Sequence, residues 1–382
     1  MTVPRLPVLG WRSLRLRRQR VYAGCVLARG QALFVSSGRA AILHALRLLE
    51  VGTGDRVLLP TYHCPTMVAP IVRLGAQPVF YPIDRCAAPD LNWLAASDLG
   101  GVKAMIAAHF FGIPQPLGEV QAFCRERGIA LIEDCAHAFF GQSAETPVGA
   151  TGDFAVASLP KFFPTTEGGC LVVPAPLQRR LSLSKPSGLT ELRALLDVLE
   201  LGVQHGRFGV LGIALKALAA IKSQLRRPQQ NPALLLDGGD PAAWLDEAAL
   251  GYTALRVSRL LVAYTDTDRL IARRRANYQR WRAALQSLEG AQPLFPELPD
   301  GAVPYVFPLH VQRPEPAYQY LRAQGVPVFR WDVHWPGVPR LPGDHGKEWL
   351  TTVFQLGCHQ ELSERDVLYL ANIVRQAVSN TV

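Results

Sequence analysis

From about residue 33 onward the sequence alternates short apolar runs with stretches of helical spacing, and that alternation leaves few folds open. Ala40–Leu49 spaces its apolar residues as a helix. Asp55-Arg-Val-Leu-Leu-Pro reads as a strand ending at a turn, Thr66–Leu74 as a helix, and Pro78-Val-Phe-Tyr as a second strand. Val102–His109 is another strand, Leu117–Arg127 the helix after it, and Ile129-Ala-Leu-Ile-Glu-Asp a buried strand that ends on a carboxylate. Strands separated by helices build a mainly parallel sheet with helices on both faces, and such a sheet carries its ligands at the strand carboxyl ends. The expected fold is therefore α/β. At 382 residues the chain is long enough for one large domain and a smaller C-terminal α/β domain.

The expected division is an N-terminal arm (1–32), a large cofactor-binding domain (33–250) with a helical insertion at about 175–240, and a linking helix with the small domain (251–382). The arm concentrates Arg5, Arg12, Arg15, Arg17, Arg18 and Arg20, a local source of the formal charge of +9. A solvated basic arm and an attraction to an anionic substrate or membrane surface both fit that charge. Nucleic acid fits less well, because no zinc-finger spacing or basic–aromatic motif accompanies it.

Phe208–Ile221 is apolar but interrupted by Lys216 and too short to span a bilayer. It reads as a helix packed on the domain or a partner, or as one lying in a membrane interface. A Pro/Gln/Asn patch follows at Arg226–Pro232, and Leu255–Leu285 reads as one long basic helix. The seven cysteines are scattered without a C-x-x-C pair, which argues against a zinc site or a disulfide framework. With no long apolar segment at the start, the expected compartment is the cytoplasm.

Three strand–helix turns carry candidate chemistry. Val35-Ser-Ser-Gly38-Arg39 opens a helix, whose free N–H groups and dipole favour an anion. Ile132-Glu-Asp134-Cys-Ala-His137 sets a carboxylate at the sheet edge, where a helix cap is the simpler explanation. Ser158-Leu-Pro-Lys161-Phe-Phe sets a lysine in an apolar frame that disfavours its ammonium, and Glu167-Gly168-Gly169 follows. An anion cradle, a carboxylate and an amine of lowered pKa form the set that pyridoxal phosphate (PLP) needs.

These segments resemble the DegT/DnrJ/EryC1/StrS family of fold-type-I PLP enzymes. The resemblance rests on Ser37-Gly-Arg-Ala-Ala, Glu133-Asp-Cys-Ala-His137, Lys161 with Glu167-Gly-Gly, Gly251-Tyr252 through Arg256-Val-Ser with Ala272-Arg-Arg-Arg, and Gln355–Gln360 with Leu362–Asp366. It implies Lys161 as the internal-aldimine lysine and proton shuttle, Asp134 on the pyridine nitrogen, and Gly38, Arg39 and Ser158 on the phosphate. It places His137 by the ring hydroxyl, although a buried hydrogen-bonding histidine fits as well. The family's ring-stacking aromatic falls at Cys64 here, so His63 or Tyr62 is the candidate stacker.

The implied reaction is amino transfer, from glutamate to a nucleotide-linked keto-sugar, in a homodimer with residues near Tyr252–Arg256 reaching across. Arg330-Trp331 and His334-Trp335 are candidates for the acceptor pocket. Two other readings keep the fold. A sugar dehydratase of this family would carry histidine in place of Lys161. A non-catalytic scaffold would need neither Lys161 nor Asp134.

Overall fold

The computed structural model describes residues 3–30, 32–209, 212, 244–333 and 335–380. The first part of the chain runs β1 (Ala32–Val35), α1 (Gly38–Leu48), β2 (Arg56–Pro60), α2 (Pro65–Arg73), β3 (Gln77–Tyr81), α3 (Leu91–Ala96), β4 (Val102–Ala108), α4 (Gly118–Glu126) and β5 (Ala130–Asp134). A short hairpin, β6 (Gln142–Ser143) with β7 (Thr146–Pro147), precedes β8 (Phe154–Ser158) and β9 (Gly169–Val172). Seven strands form one sheet in the order β1-β9-β8-β5-β4-β2-β3. Its pairs are parallel from β3 to β8, whereas β9 lies antiparallel between β8 and β1. Leu58, Leu59, Ile106, Ala107, Leu131 and Ile132 are fully buried, as expected of parallel strands covered on both faces.

This topology turns the carboxyl ends of β1, β2, β4, β5 and β8 toward one edge. Register aligns them there: Ala108 pairs with Asp134, Asp134 with Val156, and Gly169 with both Ser158 and Val35.

The second part adds α5 (Ala175–Gln178), α6 (Gly188–Gln204), α7 (Glu247–Leu250), α8 (Arg256–Tyr264) and α9 (Thr267–Leu285). It ends with β10 (Ala291–Pro293), β11 (Val306–Val311), α10 (Pro314–Ala323), α11 (Gly346–Thr352), β12 (Val353–Gly357) and α12 (Glu364–Ser379). Strands β10, β11 and β12 make an antiparallel sheet with its own core, in which Trp281, Phe307, Phe354 and Val374 are fully buried.

The long helix expected over Leu255–Leu285 is two helices. Thr265 takes an extended conformation at the end of α8, and Asp266 caps α9 by accepting from Arg269 N–H. The break is held from outside: Leu14 bridges Thr265, and Asp266 N–H donates to the Ser13 carbonyl. The basic arm is thus not wholly solvated. Arg12, Arg17, Arg18 and Arg20 are exposed, but Val8 and Leu9 are buried and Arg15 pairs with Asp266 at 2.8 Å. The Arg226–Pro232 patch and most of Phe208–Ile221 lie outside the described residues. Among the described residues no helix is long and apolar enough to cross a membrane.

Candidate active site

The aligned strand ends open on a cavity of about 680 Å³, a volume suited to a small organic ligand. One part of its wall is an anion cradle. Ser36, Ser37, Gly38 and Arg39 line it at the start of α1, and Ser37 caps that helix by accepting from Ala40 N–H at 3.2 Å. Ser158 lines the same cavity from the end of β8. The Gly168-Gly169 pair makes this assembly possible. Gly168 has φ of 111°, and a Cβ on Gly169 would lie 2.3 Å from the Ser37 carbonyl carbon. Ser36 Oγ and Thr253 Oγ1, both on residues that line the cavity, are buried without a hydrogen-bond partner among the described residues. Unpaired buried hydroxyls at a helix N-terminus are what an anionic group would satisfy. The Arg39 guanidinium is partly committed, donating to the Trp244 carbonyl.

Lys161 and Asp134 line the same cavity. Burial lowers the Lys161 pKa below its usual value, although the Asp134 charge opposes that shift. Burial raises the Asp134 carboxyl, against the Lys161 charge and the Ala136 N–H that donates to it at 2.8 Å. His137 also lines the cavity, with its ring 4.6 Å from Tyr305 and 5.3 Å from Trp331. Burial and the Lys161 charge hold it well below the usual histidine range, so its ring is neutral.

Both groups are held by supports that the sequence shows only indirectly. Arg274, fully buried on α9, donates to the Lys161 carbonyl at 2.8 Å, the Pro304 carbonyl at 3.1 Å and Gln360 Oε1 at 3.0 Å. Gln360 in turn donates to the Phe162 carbonyl at 2.9 Å, so one clamp fixes the lysine loop at two points. Burial pulls the Arg274 pKa down to about 9. Beneath Asp134, Glu133 accepts from His109 Nε2, Gly149 N–H, Thr151 N–H and Gly152 N–H. Burial works against its charge, but His109 and the glycine N–H groups hold Glu133 below the usual range. His109, Glu133 and Cys135 are near enough to hold a metal ion, yet these hydrogen bonds already engage His109 Nε2 and both Glu133 oxygens.

His63 does not line the cavity. Its ring packs on Phe80 with centroids 5.0 Å apart, Nδ1–H donates to the Thr61 carbonyl at 2.9 Å, and Nε2 accepts from Trp335 N–H. Tyr62 is likewise turned into the core, 4.5 Å from the Trp331 ring. Cys64 lines the cavity at the place expected of the stacker, and Phe110, Tyr305, Phe329 and Trp331 supply the aromatic wall from other loops. Arg330 is engaged with Glu315 and Asp332 and does not line the cavity, and His334 lies outside the described residues. Tyr252 and Thr253 line the cavity, as does Glu167. Glu167 accepts from Ser258 Oγ at 2.5 Å and Leu255 N–H at 3.2 Å, and burial raises its pKa to about 7. The sequence offered Glu167 only as part of the Glu-Gly-Gly run, and Arg274 only as part of Arg-Arg-Arg.

A cradle for phosphate, a buried carboxylate and an amine of lowered pKa in one cavity fit PLP. The fold is that of the fold-type-I PLP transferases. The aminotransferase TlmJ of Streptoalloteichus hindustanus superposes with a TM-score of 0.63 over 92% of this chain and 86% of that one, at 22% identity. PseC of Helicobacter pylori, an aminotransferase of pseudaminic acid biosynthesis, superposes with a TM-score of 0.64 over 93% and 88%, at 16% identity. Residues 25–183 match the model of the DegT/DnrJ/EryC1/StrS aminotransferase family.

Over 154 residues the chain is 34% identical to a UDP-N-acetyl-3-dehydro-alpha-D-glucosamine 3-aminotransferase of Acidithiobacillus ferrooxidans, covering 38% of this chain and 41% of that protein. Over 142 residues it is 35% identical to a dTDP-4-dehydro-2,3,6-trideoxy-D-glucose 4-aminotransferase of Saccharopolyspora spinosa, covering 36% and 37%. The match thus spans about two fifths of the length of these relatives.

Proposed function

We propose that this chain is a PLP-dependent aminotransferase that moves an amino group from glutamate to a nucleotide-linked keto-sugar. The observation that carries the reading is the meeting of Lys161 and Asp134 in one cavity with the hydroxyl and N–H cradle of Ser36, Ser37, Gly38 and Ser158. PLP bound there supplies an electron sink for chemistry at the carbon that carries the nitrogen. Lys161 would hold the cofactor covalently and, when released from it, move the proton to and from the substrate carbon. An amine whose pKa burial has lowered suits that work. Asp134 would keep the ring nitrogen protonated, and neutral His137 would pack beside the ring. Arg274 and Gln360 keep the lysine loop in place, and Glu133 fixes the strand end that presents Asp134.

The two relatives named above act on dehydro-sugars carried by nucleotides, which supports the acceptor class. A homodimer belongs to the same reading. Tyr252 lines the cavity yet is 40% exposed, and Leu189 and Leu192 of α6 face solvent near the cavity-lining Ser187 and Thr190. A monomer by gel filtration with full activity would remove that part.

The test is an amination screen: PLP-loaded protein, glutamate and a panel of nucleotide keto-sugars, followed by 2-oxoglutarate formation. Release of 2-oxoglutarate that depends on an acceptor and on Lys161 is expected. No release with any pair, together with a Lys161→Ala variant that behaves as the parent, would end the aminotransferase reading.

A further inference from the structure

Three cationic side chains of the described residues line the cavity: Arg39, Lys161 and Arg5. Arg39 is bound to the Trp244 carbonyl, and Lys161 is the reactive amine. Arg5 has no role in the reading above. It comes from the N-terminal segment, far in sequence from every motif, and its backbone is anchored: the Pro4 carbonyl accepts from buried His359 at 2.9 Å. Its guanidinium lies over the Phe329 ring at 4.0 Å from the centroid. No carboxylate among the described residues pairs with it, although Asp134, Glu167 and Asp246 line the same cavity. Its charge lowers the pKa of both the Lys161 amine and the Tyr305 hydroxyl, which line the same cavity.

We infer that Arg5 is a substrate-anchoring residue that receives an oxyanion of the incoming substrate in the cavity that Lys161 lines. A guanidinium held over an aromatic ring spends none of its N–H donors there, so they stay free for a carboxylate or phosphate. Phe329 holds the group without consuming a donor. Two sources of that oxyanion fit the proposed reaction, on which this inference rests: a carboxylate of the amino donor and a phosphate of the sugar nucleotide. Neither calls for the cradle at α1, which is built from other residues. The N-terminal segment is then part of the site, and a chain lacking it would keep the cofactor cradle while losing grip on substrate.

The experiment measures equilibrium binding of 2-oxoglutarate and of UDP, separately, to the PLP-loaded chain and to Arg5→Gln and Arg5→Lys. Arg12→Gln, an exposed arm arginine outside the cavity, serves as the control for general charge. At least a tenfold rise in Kd in Arg5→Gln for one of the two ligands is expected, with partial recovery in Arg5→Lys and no change in Arg12→Gln. A loss confined to 2-oxoglutarate assigns the anion to the donor, and one confined to UDP assigns it to the nucleotide. Unchanged Kd values for both ligands, or an equal loss in Arg12→Gln, would overturn the inference. Glutamate-driven change in the cofactor's absorption is recorded on the same samples. If it is absent while oxyanion binding depends on Arg5, amino transfer fails and the role of Arg5 stands.

Discussion

Replacing Glu167 by glutamine should make the cofactor-free protein more stable at pH 8 and no more stable at pH 4.5. The carboxyl has an ordinary value of 4.5 and a folded value of about 7, raised chiefly by burial, with Glu191 adding to the rise. Ser258, the Leu255 N–H and Arg259 pull the other way. Because the folded value is raised, the native chain keeps a proton that the unfolded chain releases once the pH passes 4.5. Stability from this group is therefore lost between about pH 4.5 and pH 7 and is level on either side.

At about 1.4 kcal/mol per pH unit that window corresponds to roughly 3 kcal/mol as an upper bound. Glutamine keeps an oxygen for Ser258 and Leu255 and carries no charge, so it should recover most of that amount at pH 8. Urea unfolding of both proteins at pH 4.5, 6 and 8 reads the difference directly. A variant whose stability follows the same pH dependence as the parent, or that is less stable at pH 8, would show that Glu167 is not held protonated by burial.

Other outcomes follow from the same geometry. Arg274→Met leaves three buried oxygens without their donor and should cost at least about 3 kcal/mol in urea unfolding. Asp134→Asn removes the charge that favours the Lys161 ammonium, so the amine should titrate at lower pH in the cofactor-free variant, as read by the pH dependence of reductive methylation. Gly169→Ala forces β9 away from Ser37 and should weaken PLP binding in a fluorescence titration, with bulk secondary structure unchanged by circular dichroism. Lys161→Gln should lower amino transfer by at least about 10²-fold, the scale of a lost acid–base group.

Much of the sheet was legible because its strands are short, apolar and punctuated by turns. Ile129–Asp134 could be read as a buried strand ending on a carboxylate from its composition alone, and Asp134 falls where that reading put it. The helix break at Thr265 was not legible. Asp266, which caps the second helix, is its local sign, but helix spacing continues across it and the contacts that hold it come from Ser13 and Leu14, some 250 positions away. His63 shows a second limit. The resemblance named it as a ring-stacking candidate beside Tyr62, but the turn after β2 points both into the core, and three-dimensional packing brings Phe110, Tyr305 and Phe329 into the cavity's aromatic wall with Trp331, already a pocket candidate. Arg5 was visible only as one arginine among six in a basic arm. Arg5 is exposed like Arg12, Arg17, Arg18 and Arg20, and nothing local to that run marks it as the one that lines the cavity.

The central claim is that Lys161 carries the cofactor. Its most direct test is borohydride reduction of the PLP-treated protein, followed by peptide mass analysis and by the visible spectrum of Lys161→Ala. The account predicts a single pyridoxyl label on Lys161 and loss of the visible band in the variant. A label on another lysine, or an unchanged band in Lys161→Ala, would contradict it.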